Sequence, residues 1–569
     1  MFGRSSINKL RRTAVLRVTS RLASVGRFIT GLRPVRWAAR QRALRFVVGI
    51  LILLYVLCAK YLWRLPNKLV KRARKYLGRH DVWFYLLTWG ICALIGLTLS
   101  VTWWIFNSML IAMLLAVVAA GAFAIVCFRS PVTGLLAYLV AAPALKSVFY
   151  FKLAEGLPLF TTDLGAMTVL LMVYFFHPKK EPAHLPTRLV HWFMALFILG
   201  EMIAAMRTDM PKKSMQLVIN QYLTPIVIYL FARRWISDVK RLHAFFGVIV
   251  LIGTYFFVFA VPEHFTSRNF FTHTGWASNI EGELGTARAQ GPTSSPGEFG
   301  LTLALTLFVT LAWMLYAPGK RKVLFVLLAI ACLVGMAFTL RRSVYLGGGL
   351  GLLVMFMSSP KVRRNVGITV ACCILGIAVG WQALIHSEVY SKRLGQTQPV
   401  LQRAVLHATA WNIVKHHPFL GLGFRKYGEG SRQYLVGYKG ILPSYGQGLQ
   451  DAHSSYWSIM VDAGILTFAP FCGVFFMMFY TGYLMYKRLH APGLLGRDGI
   501  IVFWAYALGV LFQAGTGNTF YNERYLIVLM YVYFGALVGT HLRERKAEEP
   551  VTLPAQPVPR RGSRPAVHA

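Results

Sequence analysis

Arginine and histidine are concentrated in a few hydrophilic stretches of this chain. The interval from Glu388 to Tyr456 holds Arg393, Arg403, His407, Lys415, His416, His417, Arg425, Lys426, Arg432, Lys439, Asp451 and His453, with aromatic residues and glycines between them. A second focus is the adjacent pair Arg341–Arg342, which interrupts two apolar runs. Neighbouring cations held away from water are costly unless an anion compensates them. The pair therefore binds an anion, snorkels to lipid headgroups or pairs with an acid. Histidine adds a group that exchanges its proton near neutral pH. His453 stands where the long loop meets the next apolar run, two residues after Asp451, and is preferred to His407, His416 and His417 as the acid–base candidate. Glu298 and Asp451 could hold a divalent cation, but no tight ligand spacing accompanies them. No metal and no cofactor are expected.

Nearly everything around these residues is apolar. The chain has 569 residues, 56% of them hydrophobic and 14% charged, whereas soluble domains carry about 25% charged residues. Apolar runs of roughly 17–25 residues recur, the length that crosses a hydrocarbon core. Within lipid the backbone must satisfy its own hydrogen bonds, so such runs are helices. The sequence predicts an all-α fold: a polytopic transmembrane helical bundle of about 12–15 spans, with a large extracytoplasmic loop that contains amphipathic helices. Spans are expected near 82–102, 106–127, 131–146, 161–177, 188–205, 216–232, 242–261, 299–317, 322–340, 343–358, 366–385, 456–484, 499–515 and 522–540. The run Phe46–Trp63 is re-entrant, interfacial or one more helix.

The net charge of +41 does not indicate nucleic acid, because most Lys and Arg sit beside apolar runs, where topology determinants belong. The positive-inside rule puts Arg64–His80, His177–Arg188, Arg233–Arg241, Gly319–Lys322, Lys361–Arg364, Lys487–Arg497 and His541–Lys546 on the cytoplasmic side. Pro262–Glu298 and the loop 386–455 then face outward, with short outer connections at Arg207–Lys213, Arg341–Arg342 and Thr516–Arg524. Four regions result: a basic cytoplasmic or interfacial segment (1–45), N-terminal transmembrane helices (46–261), a core with its outer loop (262–540), and a disordered cytoplasmic tail (541–569). Seven cysteines all lie in apolar stretches and are expected to be small core residues. From Val400, Leu401, Ala404, Val405, Ala408, Trp411 and Val414 recur at helical spacing. That predicts an amphipathic helix ended by Pro418 and Gly421–Leu422–Gly423, with Arg403 and His407 on a neighbouring face. Gly347 and Gly351 have the small-xxx-small spacing of close helix packing.

Several short motifs carry a resemblance. Arg288-Ala-Gln-Gly-Pro-Thr-Ser-Ser-Pro-Gly-Glu298-Phe is followed by Thr339-Leu-Arg-Arg-Ser343 opening a helix. Arg403 then precedes Trp411, His416-His-Pro-Phe-Leu-Gly-Leu-Gly423 and Asp451-Ala-His453-Ser-Ser-Tyr456. This order resembles the O-antigen ligase and O-antigen polymerase family over roughly Tyr222 to Leu537. The chain departs from it in Ser454–Ser455, where the family often has Asn beside the histidine, and in its long Arg-rich N-terminus. The resemblance implies a glycosyltransferase in the bacterial cytoplasmic (inner) membrane. It would move a glycan from a polyprenyl-diphosphate-linked donor to a glycan, lipid or protein acceptor hydroxyl on the outer face. By the same resemblance the functional residues are Arg288, Arg341 or Arg342, Arg403 and His453; with both arginines of the pair kept as catalytic candidates, Arg425, Glu298 and Asp451 are expected to bind substrate. Arginine forks suit a departing diphosphate, and a histidine suits the acceptor hydroxyl. The partners implied are that donor, the acceptor and membrane lipids, with no nucleic acid. The other class open to such a chain is a multi-span transporter or flippase of an anionic or lipid-linked substrate.

Overall fold

The computed structural model describes residues 121–146, 150–151, 160–176, 185–269, 271, 288–317, 319–358, 360–385, 398–435, 451–489 and 493–548. All of them fall within one compact unit, Leu87–Ala569. The basic segment 1–45, the run Phe46–Trp63, the expected span 82–102 and most of 106–127 lie outside the described residues, as does 549–569.

Among the described residues the regular structure is helical, apart from a two-residue antiparallel ladder pairing Tyr150–Phe151 with Phe160–Thr161. In order the helices are α1 (Pro131–Lys146), α2 (Thr162–Phe176), α3 (Leu185–Met206), α4 (Pro211–Trp235), α5 (Val239–Thr266), α6 (Pro296–Met314), α7 (Gly319–Phe338), α8 (Arg342–Ser358) and α9 (Pro360–Ile385). They continue as α10 (Gln398–His416), α11 (Tyr427–Tyr434), α12 (Ser455–Ala463), α13 (Ile465–Arg488), α14 (Arg497–Thr516), α15 (Thr519–Asn522) and α16 (Arg524–Glu548). Among the described residues eight helices, α3 to α7, α13, α14 and α16, are long and apolar enough to cross a membrane. The apolar parts of α1, α2 and α8 are shorter. The expected span 456–484 is broken: Gly464, at φ +70°, separates α12 from α13. The last helix runs on past the expected end of the core to Glu548.

Burial sorts these helices into centre and periphery. The apolar stretches of α6 and α16 are 89% buried, whereas that of α7 is 22% buried and turns Val323, Leu324, Leu327 and Ile330 outward. A helix that is apolar all round belongs inside; one with an exposed apolar face in a membrane protein meets lipid. Cys127 and Cys332 are core residues as expected, but Cys472 is exposed on α13. Lipid tails drive helix pairing weakly, so small residues that let backbones approach decide the contacts. A Cβ on Gly347 would lie 3.2 Å from the Gly509 carbonyl oxygen, and one on Gly351 would lie 3.0 Å from that of Ala505. The two glycines therefore form the seam between α8 and α14.

At one end of the bundle the connections 207–211, 288–295, 339–342, 417–426, 451–455 and 517–523 fold onto one another. Arg207 donates to the Gly421 carbonyl (3.0 Å), Ser455 N to that of Gly517 (3.1 Å), and Ser294 Oγ to that of Asn522 (2.9 Å). At the opposite end Tyr316 donates to Asp498 (2.7 Å), and Asp238 caps α5 by accepting from Arg241 N (2.9 Å). The charge-alternation scheme assigns these segments to opposite faces in the same way.

The apolar face of α10 is rotated from the one expected. Leu406, Ala410, Ile413 and Val414 pack on Tyr427, Ala452 and Val461, forming a small second core. Leu401, Ala404, Ala408 and Trp411 are exposed. Apolar residues cover more than one face of this helix, so the pattern alone could not tell which face meets protein.

Candidate functional site

The site is assembled at the end where the long connections meet. Arg341 follows Leu340, which is held at φ +48°, and precedes the first turn of α8. A left-handed non-glycine residue persists only where its surroundings impose it. Here the Thr339 hydroxyl, fully buried, donates to the Met336 carbonyl (2.6 Å) and closes α7. The turn aims Arg341 across the bundle. Its Nη1 donates to Glu523 Oε1 (2.8 Å) and Ser295 Oγ (3.3 Å), and its Nε donates to Ser343 Oγ (3.1 Å). Arg341 thus pairs with an acid, one of the outcomes the sequence left open.

Arg288 sits on a strip anchored from below. Ala289 N donates to the Phe338 carbonyl (3.0 Å), while Gln290 N and Gly291 N both donate to Glu263 Oε2 (3.1 and 2.6 Å). The other Glu263 oxygen accepts from Asn269 Nδ2 (2.7 Å). This places Arg288 within electrostatic reach of Arg341; partial burial first, then that neighbour, push its pKa down. Arg403, on α10, is similarly lowered by loss of solvent and then by Arg341 and Arg342. A guanidinium stays protonated through such shifts. Arg288 and Arg403, from separate segments, thus each lie within electrostatic reach of Arg341, and Arg403 of Arg342 as well.

Two histidines complete the group. His407, one turn after Arg403, has its imidazole pKa pushed below the usual value by burial, then by Arg403 and His453. Its Nε2 is buried with no hydrogen-bond partner. His453 is exposed, at φ +48°, with its Nδ1 3.2 Å from Asp451 Oδ1. The same carboxylate oxygen accepts from His453 N (2.8 Å), which fixes the turn. Ser454 and Ser455 are buried beneath it; the Ser455 hydroxyl accepts from Phe520 N (3.0 Å) and donates to Gly517 O (3.2 Å). Ser455 pins the start of α12 to the 517–520 turn.

Other residues singled out in the sequence are placed elsewhere. Arg425 is exposed at φ +58°; its N donates to Asp462 Oδ2 (2.7 Å), and its guanidinium lies 5.5 Å from the Tyr521 ring centre. That network, built on Asp462 and Tyr521, is distinct from the four-arginine group. Glu298 is fully buried, with Oε2 accepting from Ser294 N (2.8 Å) and Oε1 from Tyr525 N (2.7 Å). Ser295 Oγ accepts from Glu298 N (3.1 Å) and caps α6. His416 and His417 contact the Asn412 carbonyl and the Tyr434 hydroxyl.

Sequence reasoning missed Glu523, Gln513 and Glu263. Glu523 is buried, yet burial, which alone would raise its pKa, is outweighed by Arg341 and by bonds from Ser295, Gln513 and Thr519, and the carboxyl is held below its usual range. An isolated acid in a short connection carries no pattern that would have revealed it. Chemically, the site offers converging guanidinium donors for an anion with two histidines beside them. Residues 306–472 match the O-antigen ligase family. The match includes Arg341, Arg342, Arg403, His407, Arg425, Asp451 and His453, while Arg288, Glu298 and Glu523 lie outside it. A search of curated proteins found no match to the chain.

Proposed function

We propose, given the O-antigen ligase stretch at 306–472, that this protein transfers a glycan from a polyprenyl-diphosphate donor to an acceptor hydroxyl. That stretch belongs to a family of membrane glycan ligases, glycosyltransferase-type enzymes that use lipid-linked glycans. The observation that carries the finer reading is the convergence of Arg288, Arg341, Arg342 and Arg403 beside His407 and His453.

In the proposed step the acceptor oxygen attacks the anomeric carbon while the bond from that carbon to the diphosphate oxygen breaks. The bonding pair leaves with the diphosphate, and the arginines stabilise its growing negative charge. The acceptor proton passes to His453 Nε2. Asp451, 3.2 Å from Nδ1, favours the tautomer with hydrogen on Nδ1 and leaves Nε2 free to accept. Arg425 contacts the glycan further out. Glu298 works from beneath, holding the loop and the start of α16. Charge alternation supports an outer-face site, and the family resemblance implies the bacterial inner membrane.

Purified protein in detergent, given a synthetic polyprenyl-diphosphate glycan and an acceptor glycan, is expected to form a new glycosidic bond and release polyprenyl diphosphate. His453→Ala should slow turnover by about 10²–10⁴-fold, the usual loss on removing an acid–base group. No wild-type turnover across several donors and acceptors would favour a transporter. Undiminished turnover in His453→Ala would remove that histidine from the step. Glycans of a deletion strain separate the two branches of the family. Single repeat units that are never extended mark a polymerase, and full-length lipid-linked chains that are never attached mark a ligase.

A further inference from the structure

Arg341 and the arginines within its electrostatic reach, Arg288 and Arg403, repel before any anion arrives, and the repulsion grows as water is excluded. Long, flexible guanidinium side chains would spread apart unless something held them. Arg341 is held by a buried acid, Glu523. Glu523 keeps only 4% of its side chain exposed, and both its oxygens are engaged. Oε1 accepts from Arg341 Nη1 (2.8 Å) and Ser295 Oγ (2.6 Å); Oε2 accepts from Thr519 Oγ1 (2.9 Å) and Gln513 Nε2. The carboxylate is thus fixed by α14, α15 and the start of α6, and it fixes Arg341 in turn.

The surroundings of Arg341 leave it little other freedom. Ser343 holds its Nε, a Cβ on Gly517 would lie 3.1 Å from its Nη2, and one on Gly297 would lie 2.6 Å from its Cζ. Glycines at both contacts let the backbone close against the guanidinium, and the left-handed Leu340 sets the direction from which it enters. We infer that Glu523 is the positioning residue for Arg341. It orients Arg341 and offsets its positive charge, so this donor is in place before the diphosphate binds. The consequence for catalysis rests on the transfer reaction proposed above; the positioning of Arg341 does not.

The experiment has two arms that fail separately. In the first, phenylglyoxal modifies purified protein without substrate, and the rate at Arg341 is read by mass spectrometry. Glu523→Gln is nearly isosteric but uncharged, and Glu523→Asp keeps the charge at a shorter reach. Arg341 should react at least about 10-fold faster in Glu523→Gln, the ratio that loss of about 1.4 kcal/mol of restraint produces. Equal rates in a wild type and a Glu523→Gln protein that melt at the same temperature would overturn the positioning. In the second arm, kcat should fall about 10²-fold in Glu523→Gln, as for a catalytic group displaced by about 1 Å. KM for the donor should not rise, because a positive charge has been unmasked, and Glu523→Asp should recover part of kcat. Activity that falls only in proportion to folded protein would mark a merely structural acid and refute the catalytic consequence. If wild type modifies as expected but never turns over, the transfer reaction fails while the positioning of Arg341 stands.

Discussion

Gly297 offers a test of the site that alters no charged residue. It lies in the first turn of α6, where a Cβ would sit 2.6 Å from Arg341 Cζ, with Gln513 Nε2 also within contact. Ordinary contact begins near 3.4 Å and Nη1 lies closer to the added Cβ than Cζ does, so Gly297→Ala must push the guanidinium away by about 1 Å, the error that costs about 10²-fold. That factor corresponds to about 2.7 kcal/mol of lost transition-state stabilisation. The added methyl also overpacks the helix start, at a folding cost of about 1–3 kcal/mol. The two effects separate experimentally, because kcat/KM per folded molecule reports the first and the melting temperature the second. Gly349→Ala is the control, since a Cβ there meets nothing within 4 Å. The assay is glycan transfer in detergent with enzyme quantified by size-exclusion chromatography. A Gly297→Ala protein that transfers glycan at the wild-type rate would refute the claim that Arg341 must sit where it does.

Replacing each of Arg288, Arg341, Arg342 and Arg403 by Lys keeps the charge and removes the planar fork; at least two should lose most activity with unchanged protein levels, and four fully active variants would assign these arginines to topology. His407 has a depressed pKa, so its neutral form stabilises the fold fully above the unfolded value near 6.5, and that contribution is lost as pH falls through the lower folded value. Melting temperature should therefore fall from pH 7 to pH 5 more steeply in wild type than in His407→Gln, and parallel curves would count against a buried neutral imidazole. With Cys472 replaced, Gln433→Cys should react with an impermeant thiol reagent in intact cells and Lys240→Cys should not. The reverse labelling would invert the membrane orientation.

The fold class follows from composition because lipid permits few alternatives. Repeated apolar runs must become helices where no water is present to satisfy the backbone, and the described structure is helical wherever those runs fall. Helix ends were legible where local chemistry sets them: Pro418 and the glycine turn do end α10, and Arg342 does open α8. The glycine seam of α8 could also be read from spacing. Partners across the bundle could not be read. Whether Arg341 meets lipid, an anion or an acid depends on which connection packs beside it, and Glu523 lies 182 residues away in sequence. The same holds for Glu263, which secures the strip carrying Arg288, and for the face of α10 that turns inward. Periodicity describes one helix at a time, whereas a buried charge is assigned its partner only when several helix ends are brought to a common depth. The sequence alone thus determined the helices and most of the reactive residue types. The tertiary structure decided which of those residues meet, because only packing removes the water that would otherwise screen and satisfy each of them separately.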